Sequence, residues 1–426
     1  MRRRIGCADV FLTRVNEDGS DAGGGRSVVR LLFDPVFGPF FWSKLCSLTG
    51  IWIQNIVGAI LVWQISGSAV AVGAVSVAQF VPQMLFAPIS GAVADRGDRQ
   101  RQVVTGRFVC MFGSGMLAAW LMIAGSPEAL GVAPVLLSSL VVGVGFMIGG
   151  PAMQSLLPDL VRPTELPRAV VLDNVPMTLG RAVGPAVGAL IVAQVGFAAA
   201  FWVAAVSQAI FGLTVMFLRI PRGRVRHAGS DVSIKLALGL LKTDRVVLYL
   251  LLGVAAVGIG GDPVITLTPL LADNWEGSAA LVGYFGSAFG IGAIIGFAFV
   301  AAVRFWASEA WLAVLGLGAL GVGSIMVTIA PSVGVAIASF GLSGAGMTLA
   351  MTGCTTMIYQ RVPAALRGRI MALWFVGFVG SRPLAATMNG ALADFFNVST
   401  ALLATAALVL AVAWMCRPRQ LRQSSP

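Results

Sequence analysis

Charge is scarce in this chain. Asp, Glu, Lys and Arg make up 11% of the 426 residues against 57% hydrophobic ones, and mean hydropathy is +0.88. Soluble domains hold roughly 25% charged residues, so an integral membrane protein is implied. The alternating ten-residue segments of an outer-membrane barrel are missing too, which leaves an all-α bundle. The single histidine, His227, falls in a basic loop; this excludes a histidine relay or zinc site inside a bilayer. The cysteines (Cys7, Cys46, Cys110, Cys354 and Cys416) are scattered without a C-x-x-C pair, so neither a disulfide framework nor a metal site is expected. No G-x-x-x-x-G-K-S/T loop occurs, so the chain is not expected to hydrolyse ATP. A lipid-modifying enzyme would need a nucleophile–base pair or metal cluster near an interface, and neither is found. The reading is therefore not an enzyme, with no cofactor.

Apolar runs fill the space that charge leaves. Twelve segments are expected at 40–65, 70–94, 103–124, 132–157, 169–193, 197–218, 246–271, 279–305, 310–330, 333–358, 370–393 and 399–415. A membrane span needs about 20 apolar residues. Residues 1–36 have Arg2, Arg3 and Arg4 but no apolar core of a signal peptide, and read as a disordered cytoplasmic tail. A six-helix half at 37–218, a basic cytoplasmic linker at 219–245, a second half at 246–416 and a tail at 417–426 complete the division.

The net charge of +11 invites a nucleic-acid reading, but its placement argues otherwise. Loops at 66–69, 125–131, 194–196, 272–278, 331–332 and 394–398 contain no Lys or Arg; the alternate loops and the 219–245 linker hold the bases. This is the positive-inside pattern of an inner-membrane protein with both termini cytoplasmic, and it needs no nucleic acid. An offset of 201 aligns Val161 with Val362, Arg168 with Arg369 and Arg181 with Arg382. Two parallel six-helix repeats joined by a long inner linker match one transporter architecture, with its substrate site near the bilayer midplane.

One polar stretch stands between the second and third apolar runs: G-A-V-A-D-R-G-D-R-Q-R-Q-V at 91–103. Its Gly91, Asp95, Arg96, Arg99 and Arg101 resemble the loop 2–3 signature G-x-x-x-D-R-x-x-R of the major facilitator superfamily. P-A-M-Q-S-L-L-P-D-L-V at 151–161, G-D-P-V-I-T-L-T-P-L-L at 261–271 and V-P-A-A-L-R-G-R-I-M-A-L at 362–373 are similar to its bacterial exporter branch, which includes enterobactin-exporter-like and macrolide-efflux-like proteins. The resemblance covers nearly all of 37–415. It implies that Asp95 meets the amino-terminal end of helix 11 as an inner gate, with Arg96 and Arg99 holding the loop. Asp98 and Gln100 depart from the commonest pattern, which has Gly and a base there. Gly180, Gly184, Pro185 and Gly188 resemble the helix-5 signature of drug–proton antiporters; glycines four apart permit a close helix crossing, and Pro185 bends the helix. The Arg of helix 4 and a carboxylate in helix 1, common in such antiporters, are missing.

Charges within spans cost several kcal/mol and are functional candidates by default. Arg181 and Arg382 either line a central cavity and attract an anion, or brace neighbouring helices through backbone carbonyls. Asp262 is either a proton acceptor or the cap of a helix restarted after Gly260-Gly261. Asp173 and Asn174 are expected at the start of helix 5. Trp52, Asn55, Gln79, Gln83, Tyr284 and Trp374 are candidate cavity residues, a mixed wall suited to amphiphilic substrates. The expectation is a monomeric secondary transporter in a bacterial inner membrane. It would export drugs or siderophore-like metabolites by alternating access on the proton gradient. The rivals are an uptake permease of the same fold and a non-transporting scaffold or sensor.

Overall fold

The computed structural model describes residues 28–219, 244–275, 279–303, 306–362 and 364–421. Twelve of its helices are long and apolar enough to cross a membrane. They are α1 (Phe37–Ser66), α2 (Ala69–Arg96), α3 (Arg99–Ala124), α4 (Ala133–Leu160), α5 (Leu166–Gln194), α6 (Phe197–Phe217), α7 (Arg245–Gly260), α8 (Ala279–Val303), α9 (Glu309–Thr328), α10 (Val333–Arg361), α11 (Ala364–Phe395) and α12 (Val398–Met415). Span α7 continues through two short pieces, Pro263–Thr266 and Thr268–Asp273. An even number of crossings returns the chain to the side on which it began, called the near side below.

Side-chain oxygens set several helix starts. Ser68, Asp98, Asp244, Ser332 and Asn397 accept from the backbone of the first turn of α2, α3, α7, α10 and α12, and each such cap stabilises its helix by about 1 kcal/mol. Within the stretch expected as a tail, Val28–Leu32 is helical, and Asp34 Oδ1 accepts from Val36 N and Phe37 N, both at 2.9 Å, at the start of α1. Residues 1–27, and most of the linker at 220–243, lie outside the described residues. Helix α11 begins at Ala364 rather than 370, because the helix continues through the polar Arg367-Gly368-Arg369 stretch, which lies before the apolar run.

Glycine builds the packing inside each half. Helices α3 and α4 touch so closely that a Cβ on Gly106 would lie 2.6 Å from Gly145 O and 2.7 Å from Gly149 N. Lipid supplies no hydrophobic drive between helices, so backbone approach through small residues takes its place. The halves meet along two crossings, α2 with α11 and α5 with α8. These pairs are equivalent under the 201-residue repeat. A Cβ on Gly73 would lie 2.5 Å from Ala386 O, and one on Gly390 2.7 Å from Ala69 O. On the other crossing, a Cβ on Gly283 would lie 2.6 Å from Ala189 Cβ, and one on Gly290 2.5 Å from Ala182 N. All four positions lie from mid-helix toward the far side.

Candidate functional site

The near-side turn between α2 and α3 is only Gly97-Asp98. Asp98 accepts from Arg101 N at 3.1 Å and so caps α3. Gln100 Nε2 donates to Val215 O (2.7 Å) and Leu218 O (2.8 Å), satisfying the last carbonyls of α6. The two departures from the usual motif are therefore helix-terminus devices. Arg99 pairs with Asp159 of α4 at 3.1 Å and also donates to Ser155 O, tying α3 to α4. Arg101 is a surface side chain paired to Asp98 at 3.3 Å. Gly91, Asp95 and Arg96 lie on the last turns of α2, and their side chains fall outside the described residues.

On α5 the three glycines face α1. A Cβ on Gly180 would lie 3.0 Å from Leu48 C, and one on Gly188 3.2 Å from Ile53 Cα; Gly184 sits against Trp52, where a Cβ would meet Trp52 Cβ at 2.5 Å. Pro185 instead faces the other half: Gly286 leaves room for its ring, with a Cβ there 2.7 Å from Pro185 Cβ. Beside it, Ala186 N donates to Ser287 Oγ of α8 at 3.1 Å.

Arg181 and Arg382 both lie at the centre, between the halves. Arg181 lies over the Trp52 ring at 5.1 Å and Nη1 reaches Met347 Sδ of α10 at 3.5 Å. Arg382 lies between Phe80 of α2 (5.1 Å) and Phe378 (5.0 Å). Each is 8% exposed, and Arg181 lies within electrostatic reach of Arg382. Backbone-carbonyl bracing, one of the two sequence readings, is not what holds them; aromatic faces do. Trp374, one turn before Phe378, donates Nε1 to Thr355 Oγ1 at 3.0 Å and stacks on Phe378, so Trp374, Phe378 and Arg382 form one face of α11.

Asp262 makes no capping bond to the helix that follows it. Its φ of −71° and ψ of −41° are helical, so the side chain points away from the freed N–H groups and across to α11. There Asn389 Nδ2 donates to Oδ2 at 2.7 Å, while Thr266 Oγ1 donates to Oδ1 at 3.1 Å. Asn389 Oδ1 in turn accepts from Thr405 Oγ1 of α12 at 2.7 Å. Asp262 is 3% exposed and within electrostatic reach of Arg382.

Other candidates scatter. Asn55 is buried with Oδ1 unpartnered. Gln83 spends its amide on Gln79 O at 3.0 Å, and Gln79 is buried where α2 crosses α4 at Gly143. Tyr284 does not line the cavity: it is 57% exposed, on the same outward face of α8 as Ile291 and Ile295, because Gly283 one residue earlier is the position that packs on α5.

Three features were missed. Lys44, in the first apolar run, pairs with Asp173 at 2.5 Å. Since α5 begins at Leu166, Asp173 stands two turns inside it rather than at its start. Arg107 is fully buried between Phe146 and Phe211, donating Nη1 to Gln208 Oε1 at 3.2 Å. A charged residue inside an otherwise apolar run was the available signal for both. The third is Asp394 at the far end of α11: its carboxylate accepts from Ser68 Oγ (2.6 Å), Ala69 N (2.7 Å) and Val70 N (3.0 Å). It thus caps α2 from the other half, and the positive end of the helix dipole reinforces the contact. Lys44→Met should cost about 3 kcal/mol, because Asp173 is left with an uncompensated charge. A Lys44→Met, Asp173→Leu double variant should regain most of it in thermal unfolding of the purified protein; equal losses would show the pair uncoupled.

The transmembrane secretion effector family matches residues 30–425. The enterobactin exporter EntS of Shigella boydii serotype 18 is 28% identical over 382 residues, covering 84% of this chain and 85% of that protein. EntS of Escherichia coli O139:H28 aligns with the same identity and coverage. Among solved structures, a D-xylose–proton symporter is similar with a TM-score of 0.72 at 14% identity, covering 91% of this chain and 99% of that one. A bacterial homologue of the human lysosomal transporter Spinster, inward-facing and unoccupied, aligns with a TM-score of 0.66 at 15% identity, covering 89% and 96%. At these identities the structural neighbours speak to the fold alone.

Proposed function

Because the chain belongs to the transmembrane secretion effector family, a multi-pass inner-membrane transporter of the major facilitator fold, we propose that it exports amphiphilic small molecules, siderophore-like metabolites foremost. It does so as a monomer, by alternating access, in exchange for protons. The observation that carries the reading is the match to EntS exporters along most of both chains. The antiporter-like α5 face, with Gly180, Gly184 and Gly188 against α1 and Pro185 against α8, supports the outward direction. Positive-inside sorting puts the near side in the cytoplasm. The far-side crossings then close the periplasmic path, and a midplane substrate enters from the cytoplasm. Asp262 is the candidate proton carrier.

Energised inside-out vesicles test the direction. Accumulation of a fluorescent amphiphile that collapses with the pH gradient is expected; accumulation only in right-side-out vesicles would make the chain an uptake permease. Asp95→Asn should leave expression and insertion intact while turnover falls to background in the same vesicles. Full transport by that variant would reduce the 91–103 stretch to an anchor of topology.

A further inference from the structure

Several buried donors at the centre of the molecule have no acceptor. Trp52 Nε1, Arg181 Nε and Arg382 Nε are all buried without a hydrogen-bond partner. They come from α1, α5 and α11, and the Arg181 guanidinium lies on the Trp52 ring itself. Among the described residues, the salt bridges join Lys44–Asp173, Arg99–Asp159, Arg101–Asp98 and Arg361–Asp244, and none touches either arginine. Among the described residues, Asp262 is the carboxylate in electrostatic reach of Arg382, and its oxygens are engaged by Asn389 and Thr266. Two like charges held close with a surplus of N–H groups leave a large cost unpaired. An incoming oxyanion removes it at both arginines at once.

We propose that Arg181, Arg382 and Trp52 Nε1 form a subsite for an acidic oxygen group on an aromatic substrate, an arene carboxylate or an ionised phenol. The inference rests on the export reading and names the substrate class of its midplane site. Anion specificity follows from the N–H donors, which leave a neutral amide unable to offset the two charges. Aromatic specificity follows from the walls: Trp52, Phe80 and Phe378 already hold the guanidinium planes and present ring faces to whatever lies beside them. The residues come from both halves, so an occupant engages Arg181 and Arg382 together only when the halves are close. Binding is thereby linked to the position of the rocking bodies.

The test uses the full chain in lipid nanodiscs with salicylate and its uncharged match, salicylamide, as probes, read by calorimetric titration. The purified wild type should bind salicylate at least about tenfold more tightly than salicylamide. Arg181→Gln and Arg382→Gln should each remove that preference, weakening salicylate about tenfold to a hundredfold and leaving salicylamide unchanged. Arg181→Lys keeps the charge and loses the fork, so it should recover part of the preference; it also controls for folding. Equal wild-type affinity for the two probes would overturn the subsite, as would a preference that survives in Arg181→Gln. The export reading stands or falls separately: energised inside-out vesicles that accumulate neither a neutral nor an anionic amphiphile defeat it whatever the titration shows.

Discussion

Asp262→Asn should bring proton-driven accumulation in inverted vesicles down to equilibrium while leaving substrate counterflow intact. For a one-to-one exchange, each pH unit across the membrane supports about tenfold accumulation, and a variant without a proton carrier should fall to a ratio near one. The reason lies in the donor count. Asn389 Nδ2 donates to Asp262 Oδ2, and Asn389 Oδ1 is already taken by Thr405. A proton added at Oδ2 sets donor against donor, so Asn389 must release. Asn389 is the residue before Gly390, which packs on Ala69 at the far-side crossing. Protonation from the far side would therefore act directly on the helix that closes it. In the variant the side-chain amide can keep a bond to Asn389 with no charge change, so the cycle should run only down a substrate gradient. Counterflow lost together with accumulation would mean that Asp262 supports the fold; accumulation that persists with its normal pH dependence would remove Asp262 from coupling.

The second large effect is expected from Gly290→Val. At Gly290 an added Cβ would lie 2.5 Å from Ala182 N and 2.6 Å from Arg181 C, backbone atoms that cannot turn aside. The variant should fold, since the conflict lies between the halves, but the far side should no longer close. Ala386→Cys, at a position fully buried against Gly73, reports on this: an impermeant maleimide added from the far side should label it at least about tenfold faster with valine at position 290. Transport should fall to background. Gly292→Val is the counterpart inside one half, where the added atoms would overlap Gly341 of α10; there the loss should appear as reduced expression and a lowered unfolding temperature. Unchanged labelling with normal transport would show that the α5–α8 crossing is not a gate.

Much of the fold could be read from the apolar runs, because a bilayer forces each backbone polar group to be satisfied within its own helix. The break in α7 was legible from Gly260-Gly261-Asp262-Pro263. What failed was rotation about each helix axis. With apolar residues on every side there is no amphipathic stripe to say which face turns inward, and Tyr284 was assigned to the wrong one. Partnerships were equally hidden: Lys44 with Asp173 lie 129 positions apart and Asp262 with Asn389 127. Only the repeat offered a long-range clue, and it brought Arg181 and Arg382 together. Asp98 and Gln100 looked like erosion of a motif because capping depends on the neighbouring helix end, which a motif does not mention.

Asp394 has a consequence for leakage. Helices α2 and α11 run antiparallel, so each end of the pair joins one helix's start to the other's finish. Asp394 caps the start of α2 at the far end, and Asp95 lies on the last turn of α2 at the near end, where the family resemblance has it meet the start of α11. With Asp95 in that role, a carboxylate at each end, each suited to the opposite helix's start, would make the pair work like the two pallets of an escapement. On the proposed alternating-access cycle, the tilt that engages one would withdraw the other, so the two sides would never stand open together and the proton gradient would not be short-circuited between strokes.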